Sequence, residues 1–220
     1  MSLHPNTFKF LSSLKKNNNR PWFEKHKPEY ELIKKSFEES VDEIILLMSK
    51  FDKRIAGITA KDCVFRIYRD VRFSKDKSPY KPHLSAAIAP GGKKSAAPGY
   101  YVHVEPGGKN YLGGGVWQPE PAHLAKVRQE IDYNLKEYKS IISKPVFKKT
   151  FDDVYEDKLK KVPQGYDEKN PAIEFLKQKS FIYGTSLNDK IVSGKSFEKE
   201  VAAVFKTLYP FIAFLDRANQ

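Results

Sequence analysis

Apolar residues recur every three or four positions in three long stretches of the chain, which are 29–50, 120–142 and 196–216. This spacing collects the apolar side chains on one face of a helix, so it predicts three long amphipathic helices. Shorter helices are expected near the N-terminus, which makes 7–50 a helical region, and over 171–178.

The middle of the chain follows a different pattern. Short stretches rich in β-branched and aromatic residues are separated by glycine, proline and lysine; they are 63–73, 83–89, 99–105 and 109–117. Such stretches are typical of β-strands, and their short links favour hairpins over helical crossovers. A further short strand is expected near 180–184. The pattern predicts an α+β fold, with a central, mainly antiparallel sheet covered on one face by several amphipathic helices.

These elements fit a single domain over residues 1–220. It would consist of N-terminal helices over 7–50, a central sheet over 63–117 and a C-terminal helical part over 120–217. The length is ordinary for one domain, and the 40% of hydrophobic residues is enough to form a core.

The chain carries no segment that resembles a signal peptide. No apolar run approaches the ~18 residues that a membrane-spanning helix needs. We therefore expect a cytoplasmic protein with no membrane partner. The net charge of +12 favours an anionic partner, either a small molecule or a nucleic acid.

Positive charge is concentrated in residues 65–83, FRIYRDVRFSKDKSPYKPH, which contain three arginines and three lysines beside two aspartates. Because side chains on a strand alternate between its faces, one face would carry the polar row Arg66, Tyr68, Asp70 and Arg72. The other face would be apolar except for one residue; it carries Phe65, Ile67, Arg69, Val71 and Phe73. Arg69 would then be either paired in the core or turned outward by a bulge.

Planar guanidinium groups bind phosphate and carboxylate through paired hydrogen bonds, and lysines add point charge. We predict an anion site from the cations of this segment, which are Arg66, Arg69, Arg72, Lys77 and Lys81. In this site Asp70 would orient an arginine. Two alternatives stay open: a charged edge strand that resists pairing with other sheets, and a structural network of ion pairs.

A second group of candidate residues lies on the following strands. Tyr101, His103 and Glu105 alternate onto one face, and a hairpin between 83–89 and 99–105 would bring His83 near Glu105. His103 with Glu105 suits acid–base catalysis, and Tyr80 is a further candidate for proton transfer. The alternative is a hydrogen-bonded strand histidine with no catalytic role.

Two histidines and one glutamate also have the composition of a two-His-one-carboxylate metal site. We expect no metal there, because the nearby arginines would repel a cation and neither His4 nor His26 offers an obvious fourth ligand. No cofactor is expected either, since the chain contains no GxGxxG, P-loop, HExxH or paired CxxC motif.

The pattern of the cationic segment resembles a known family. Its residues Arg66-x-x-Arg69-Asp70-x-Arg72-Phe73-x-x-x-Lys77-x-x-Tyr80 are similar to the signature of the bacterial and fungal family called domain of unknown function 2461. The resemblance extends to Asn17-Asn18-Asn19-Arg20-x-Trp22-Phe23, Tyr101-x-His103-x-Glu105-Pro106 and Gly113-Gly114-Gly115-x-Trp117-x-Pro119. It implies membership of the family and no mechanism, because no activity is assigned to the family.

Two functions follow as hypotheses. The first is binding of a phosphate-bearing or other anionic ligand, with possible enzymatic chemistry by Asp70, Tyr80, His83, His103 and Glu105. The second is a non-catalytic module that binds nucleic acid or another polyanion. The first requires that the arginines and histidines converge in one concave pocket, whereas the second requires a broad basic face.

Overall fold

The computed structural model describes residues 3–219, so positions 1, 2 and 220 of the predicted domain lie outside it. Its helices are α1 Thr7–Lys16, α2 Arg20–Met48, α3 Ala60–Cys63, α4 Pro121–Tyr133, α5 Leu135–Ile142, α6 Pro145–Thr150, α7 Ile173–Leu176, α8 Asp189–Val192 and α9 Phe197–Asp216. Its strands are β1 Leu84–Ile88, β2 Gly99–Val104, β3 Asn110–Val116, β4 Asp153–Val154 and β5 Phe181–Leu187. The 3-10 turns Lys53–Ile55 and Arg217–Asn219 complete the regular structure.

The five strands form one sheet in the order β1-β2-β3-β5-β4, and each neighbouring pair is antiparallel. The predicted α+β class and the antiparallel sheet are confirmed. One hydrophobic core joins side chains from α1, the sheet and α9. Of the helices within residues 3–219, none has the length and apolar character needed to cross a membrane.

The long helices α2 and α9 cover one face of the sheet. On that face the Tyr100 ring of β2 lies 5.0 Å from the Phe205 ring of α9. The two helices are joined by a buried hydrogen bond of 2.6 Å, which Ser40 of α2 donates to Glu198 of α9. The opposite face of the sheet is therefore not covered by these two helices.

A buried ion pair connects the sheet to the end of α9. Asp52 is fully buried and accepts hydrogen bonds from Arg54 and from the Tyr100 hydroxyl at 2.8 Å. Arg54 in turn contacts Asp216 at 3.1 Å. Burial alone would raise the pKa of Asp52, but the hydrogen bonds and charge of Arg54 lower it below its usual value.

Three successive asparagines join α1 to α2, and each has a separate role. Asn17 ends α1, and its side chain donates to the Ser13 carbonyl at 3.0 Å. Asn19 begins α2 by accepting from the Trp22 N–H at 3.0 Å. Asn18 forms two hydrogen bonds with the backbone of Tyr80, as a neighbouring strand would. This run explains why α2 begins at Arg20, before the predicted residue 29.

The prediction of a strand over 63–73 is wrong. Cys63 ends helix α3, and the residues after it are extended but form only isolated bridges, Val64 with Ala86 and Tyr68 with Tyr80. A strand requires a continuous ladder of hydrogen bonds, and β1 pairs along its length with β2 alone. The predicted alternation is present in part: Arg66, Tyr68, Asp70 and Arg72 are exposed and Ile67 is buried, but Phe73, expected on the apolar face, is 96% exposed.

Three smaller differences concern the ends of elements. The predicted helix over 120–142 is divided at Asn134 into α4 and α5. The short strand expected near 180–184 continues to Leu187, because it pairs with the whole of β3. The two-residue strand β4 was not predicted.

The buried cysteine provides a test of the core. Burial raises the pKa of the Cys63 thiol to about 11, so at pH 8 only about one thiol in a thousand is a thiolate. We expect no measurable reaction of the folded chain with Ellman's reagent at pH 8, and one equivalent after unfolding in guanidinium chloride. Absorbance at 412 nm measures both. A rapid reaction of the folded chain would contradict the placement of Cys63 in the core.

Candidate functional site

The β1–β2 hairpin brings His83, His103 and Glu105 together. Leu84 pairs with Val104, so the residues just beyond this pair, His83 and Glu105, lie side by side. One nitrogen of each imidazole and one carboxylate oxygen all lie within 4.8 Å of one another, and the two imidazole rings are 4.2 Å apart. This group, called here the histidine cluster, is the arrangement that the predicted hairpin requires.

His103 occupies the centre of a hydrogen-bonded series. Its Nδ1 lies 3.2 Å from the Tyr101 hydroxyl, and its Nε2 lies 3.2 Å from Oε2 of Glu105. These contacts hold the His103 ring from both sides and fix its orientation.

Two lysines contact the other oxygen of Glu105. Nζ of Lys15 lies 3.6 Å and Nζ of Lys109 lies 3.8 Å from Oε1. The sequence analysis missed both residues. Lys109 could have been found, since it follows the β2–β3 turn four residues after Glu105. Lys15 comes from α1, and no local pattern connects that helix to the hairpin.

Both imidazoles of the histidine cluster are kept neutral by their surroundings. The pKa of His83 is lowered to about 4, chiefly by burial and also by the charges of His103, Lys81 and Arg69, against the opposing effect of Glu105. Burial also lowers the pKa of His103, although the hydrogen bond and charge of Glu105 oppose this. At neutral pH each ring therefore has a free nitrogen lone pair.

The face of the sheet opposite α2 and α9 forms a groove of about 780 Å³, called here the open-face groove. Small residues of β1, β2 and β3 line its floor, and aromatic residues line its sides; these aromatic residues are Phe65, Tyr101, Tyr111, Trp117 and Tyr155. Tyr101 lines the groove and also contacts His103. The histidine cluster therefore lies at the Tyr101 end of the groove.

Glycines of β3 and β5 make room on both faces of the sheet. The Tyr111 ring lies over Gly113 and Gly184 on the groove side, and a Cβ atom at Gly184 would overlap that ring. A Cβ atom at Gly114, on the helix side, would come within 2.8 Å of Leu208. Gly115 has a φ of +135°, and a Cβ atom there would overlap the Phe181 carbonyl oxygen.

Most cations of residues 65–83 are engaged in contacts within that segment. Arg72 pairs with Asp70 through two side-chain hydrogen bonds of 3.0 and 2.7 Å and lowers the pKa of that carboxyl to about 2. Lys77 donates to the Val71 carbonyl at 3.0 Å. In the same way, Lys81 donates to the Arg66 carbonyl at 3.0 Å. Asp70 thus orients an arginine as expected, but at an exposed part of the segment.

Arg69 is paired with Asp76 and also donates to Ser74, but Asp76 is exposed, so the pair lies outside the core that the first expectation named. Tyr80 is only 2% exposed and stacks on the Phe23 ring at 4.0 Å. These are the contacts of a core residue and do not support a catalytic role for Tyr80.

The predicted common pocket for the arginines and histidines is not formed as expected. The cations whose charges act on His83 are Lys81 and Arg69. The Phe65 ring, on the same side of the extended segment as Arg69, lies 6.5 Å from the Tyr101 ring. Arg66 and Arg72 are not among the groups whose charges act on His83, so the described contacts bring only Lys81 and Arg69 toward the histidine cluster.

The glycines give a test of the groove. We expect Gly184→Ala to lower the free energy of unfolding by about 1–3 kcal/mol, because the new methyl group displaces the Tyr111 ring. Gly115→Ala should lower the free energy of unfolding by more, because the Phe181 carbonyl cannot move away from the new methyl group and the positive φ adds strain. Urea unfolding of both variants measures the difference. The double variant Gly184→Ala/Tyr111→Ala should have the same free energy of unfolding as Tyr111→Ala alone. Additive losses of free energy in the double variant would contradict the overlap.

Comparison with known proteins gives one match. The family model described as "Conserved hypothetical protein (DUF2461)" matches residues 6–214. No curated protein matches the chain, and no solved structure matches it either. The matched range begins just before α1, ends within α9 and includes every residue of the histidine cluster and the open-face groove.

Proposed function

This chain belongs to the family of conserved hypothetical proteins DUF2461, as the sequence resemblance predicted, and we propose that it binds an anionic small molecule in the open-face groove. The negative group of the ligand, a phosphate or a carboxylate, would lie at the Tyr101 end, beside the histidine cluster. The rest of the ligand would lie against the aromatic sides of the groove.

Positive charge beside that end, outside the lining of the groove, carries the proposal; the lining itself contains Lys93 with the carboxylates of Asp153 and Glu120. Lys15 and Lys109 both contact the single carboxylate of Glu105. The charges of Lys81 and Arg69 also reach His83, and only Arg69 has an acidic partner, Asp76. A concave site with uncompensated positive charge at one end attracts an anion more strongly than an exposed surface does.

The same end of the groove also supports acid–base chemistry on the bound ligand. His103 is held between Tyr101 and Glu105, and such a triad keeps the imidazole oriented while it exchanges a proton. His103 and Glu105 therefore keep the roles expected from the sequence, and His83 is a neutral neighbour. The positions of Asp70 and Tyr80 give no support to a part in this chemistry.

We expect the double variant Lys15→Met/Lys81→Met to bind inorganic phosphate at least about tenfold more weakly than the unaltered chain, because two charged contacts are lost. A ³¹P NMR titration at low ionic strength measures the affinity. The matched control is Arg72→Met/Lys77→Met, which removes two charges from the cationic segment away from the groove. Its affinity should change by less than about twofold.

The outcome separates the proposal from its alternatives. Loss of binding only in the Arg72→Met/Lys77→Met variant would move the anion site to the exposed part of residues 65–83, as the sequence first indicated. Equal losses in both variants, with matching losses in affinity for a single-stranded oligonucleotide, would favour a basic surface for nucleic acid. Either result would contradict a site in the open-face groove.

A further inference from the structure

The ligand atoms of the histidine cluster have the spacing of a metal site. Nε2 of His103 and Oε2 of Glu105 are 3.2 Å apart, and a nitrogen of His83 lies within 4.8 Å of both. Nitrogen and oxygen ligands at adjacent positions around a zinc-sized ion, with bonds of about 2.0–2.2 Å, stand about 3–3.5 Å apart. A small movement of the His83 ring would bring its nitrogen to the same distance from the other two ligand atoms.

From this geometry we infer that His83, His103 and Glu105 bind a divalent first-row transition metal ion. Two neutral imidazoles and one carboxylate suit iron, manganese, cobalt or zinc, and they are poor ligands for calcium or magnesium, which prefer oxygen. The inference does not rest on the proposed function, because metal binding needs no organic ligand in the groove.

The side chains around the cluster provide the outer contacts that metal ligands need. When Nε2 of His103 binds a metal, Nδ1 carries the proton and donates it to the Tyr101 hydroxyl, which lies 3.2 Å away. Lys15 and Lys109 hold Oε1 of Glu105 and leave Oε2 directed at His103. Each of these two metal ligands is thus fixed by a second contact, as is usual in metal sites.

The argument against a metal that the sequence supported was repulsion by the nearby arginines. Arg72 is paired with Asp70 at an exposed position, and Arg69 is paired with Asp76, so neither is an uncompensated charge beside the cluster. The lysines on Glu105 are exposed by 54% and 60%, so solvent screens their repulsion of an incoming cation while they keep their contact with Oε1.

A metal ion bound by three protein ligands retains coordination positions for water or for a further ligand. Since Tyr101 connects the cluster to the open-face groove, a phosphate or carboxylate in the groove could occupy one of them. Coordination uses the nitrogen of His103 that faces Glu105. In the metal-bound protein, the group that exchanges a proton with the ligand would then be a metal-bound water.

Equilibrium dialysis of the chelator-treated full chain against Zn²⁺ tests the inference. We expect one Zn²⁺ per chain, and at least about tenfold weaker binding for Glu105→Gln and for His83→Gln. Tyr101→Phe should weaken binding by about tenfold, because it removes only the contact that orients His103. The matched control is His26→Gln, which alters a histidine stacked on Trp22 in α2 and should bind as the unaltered chain does.

Unaltered binding by Glu105→Gln, less than about 0.2 Zn²⁺ per unaltered chain, or an equal loss in His26→Gln would overturn the inference. Co²⁺ added to the unaltered chain provides a measurement that needs no variant. It should give visible absorption bands that one equivalent of Zn²⁺ removes, and the absence of these bands would also overturn the inference. Both experiments are done without phosphate, so their failure leaves the anion site standing, and failure of the phosphate titration leaves the metal site standing.

Discussion

The absence of side chains in the middle of β3 is the constraint on which the rest of the structure depends. Gly114 lets α9 approach the sheet closely on one face, and Gly113 with Gly184 leaves the space that the Tyr111 ring fills on the other. Larger residues would push the helix away on one face and fill the groove on the other. The core and the candidate site therefore share one strand, and neither could change there without disturbing the other.

The strands and helices that sequence periodicity predicted well are those whose partners lie nearby along the chain. β1, β2 and β3 follow one another along the chain with no helix between them, so alternation alone indicated both the strands and their pairing. Residues 65–72 alternate as clearly, but a strand also needs a partner along its whole length. Here the backbone contacts are a hydrogen bond from Phe65 to Ser85 and those around the bridge from Tyr68 to Tyr80, neither of which an alternating pattern reveals. The single domain stays a prediction.

The candidate site likewise has one part that the sequence could predict and one part that it could not. The grouping of His83 with His103 and Glu105 follows from hairpin register and could be predicted. The contacts that change its chemistry come from far along the chain: Lys15 from α1, and the Gly184 position beneath Tyr111 from β5. The facing of residues 65–72 could not be predicted for a related reason, since parity states which side chains share a side and not which side meets the sheet.

The two hydrogen bonds between Asn18 and the Tyr80 backbone have a consequence for how the chain folds. They join residues far apart in sequence, and contacts of this kind form slowly because a long loop must close first. The native shape of the segment that carries the cations therefore depends on the junction of α1 and α2, which presents Asn18. Its ordering should therefore be a late event in folding, and in the native protein it should be among the first parts to open locally.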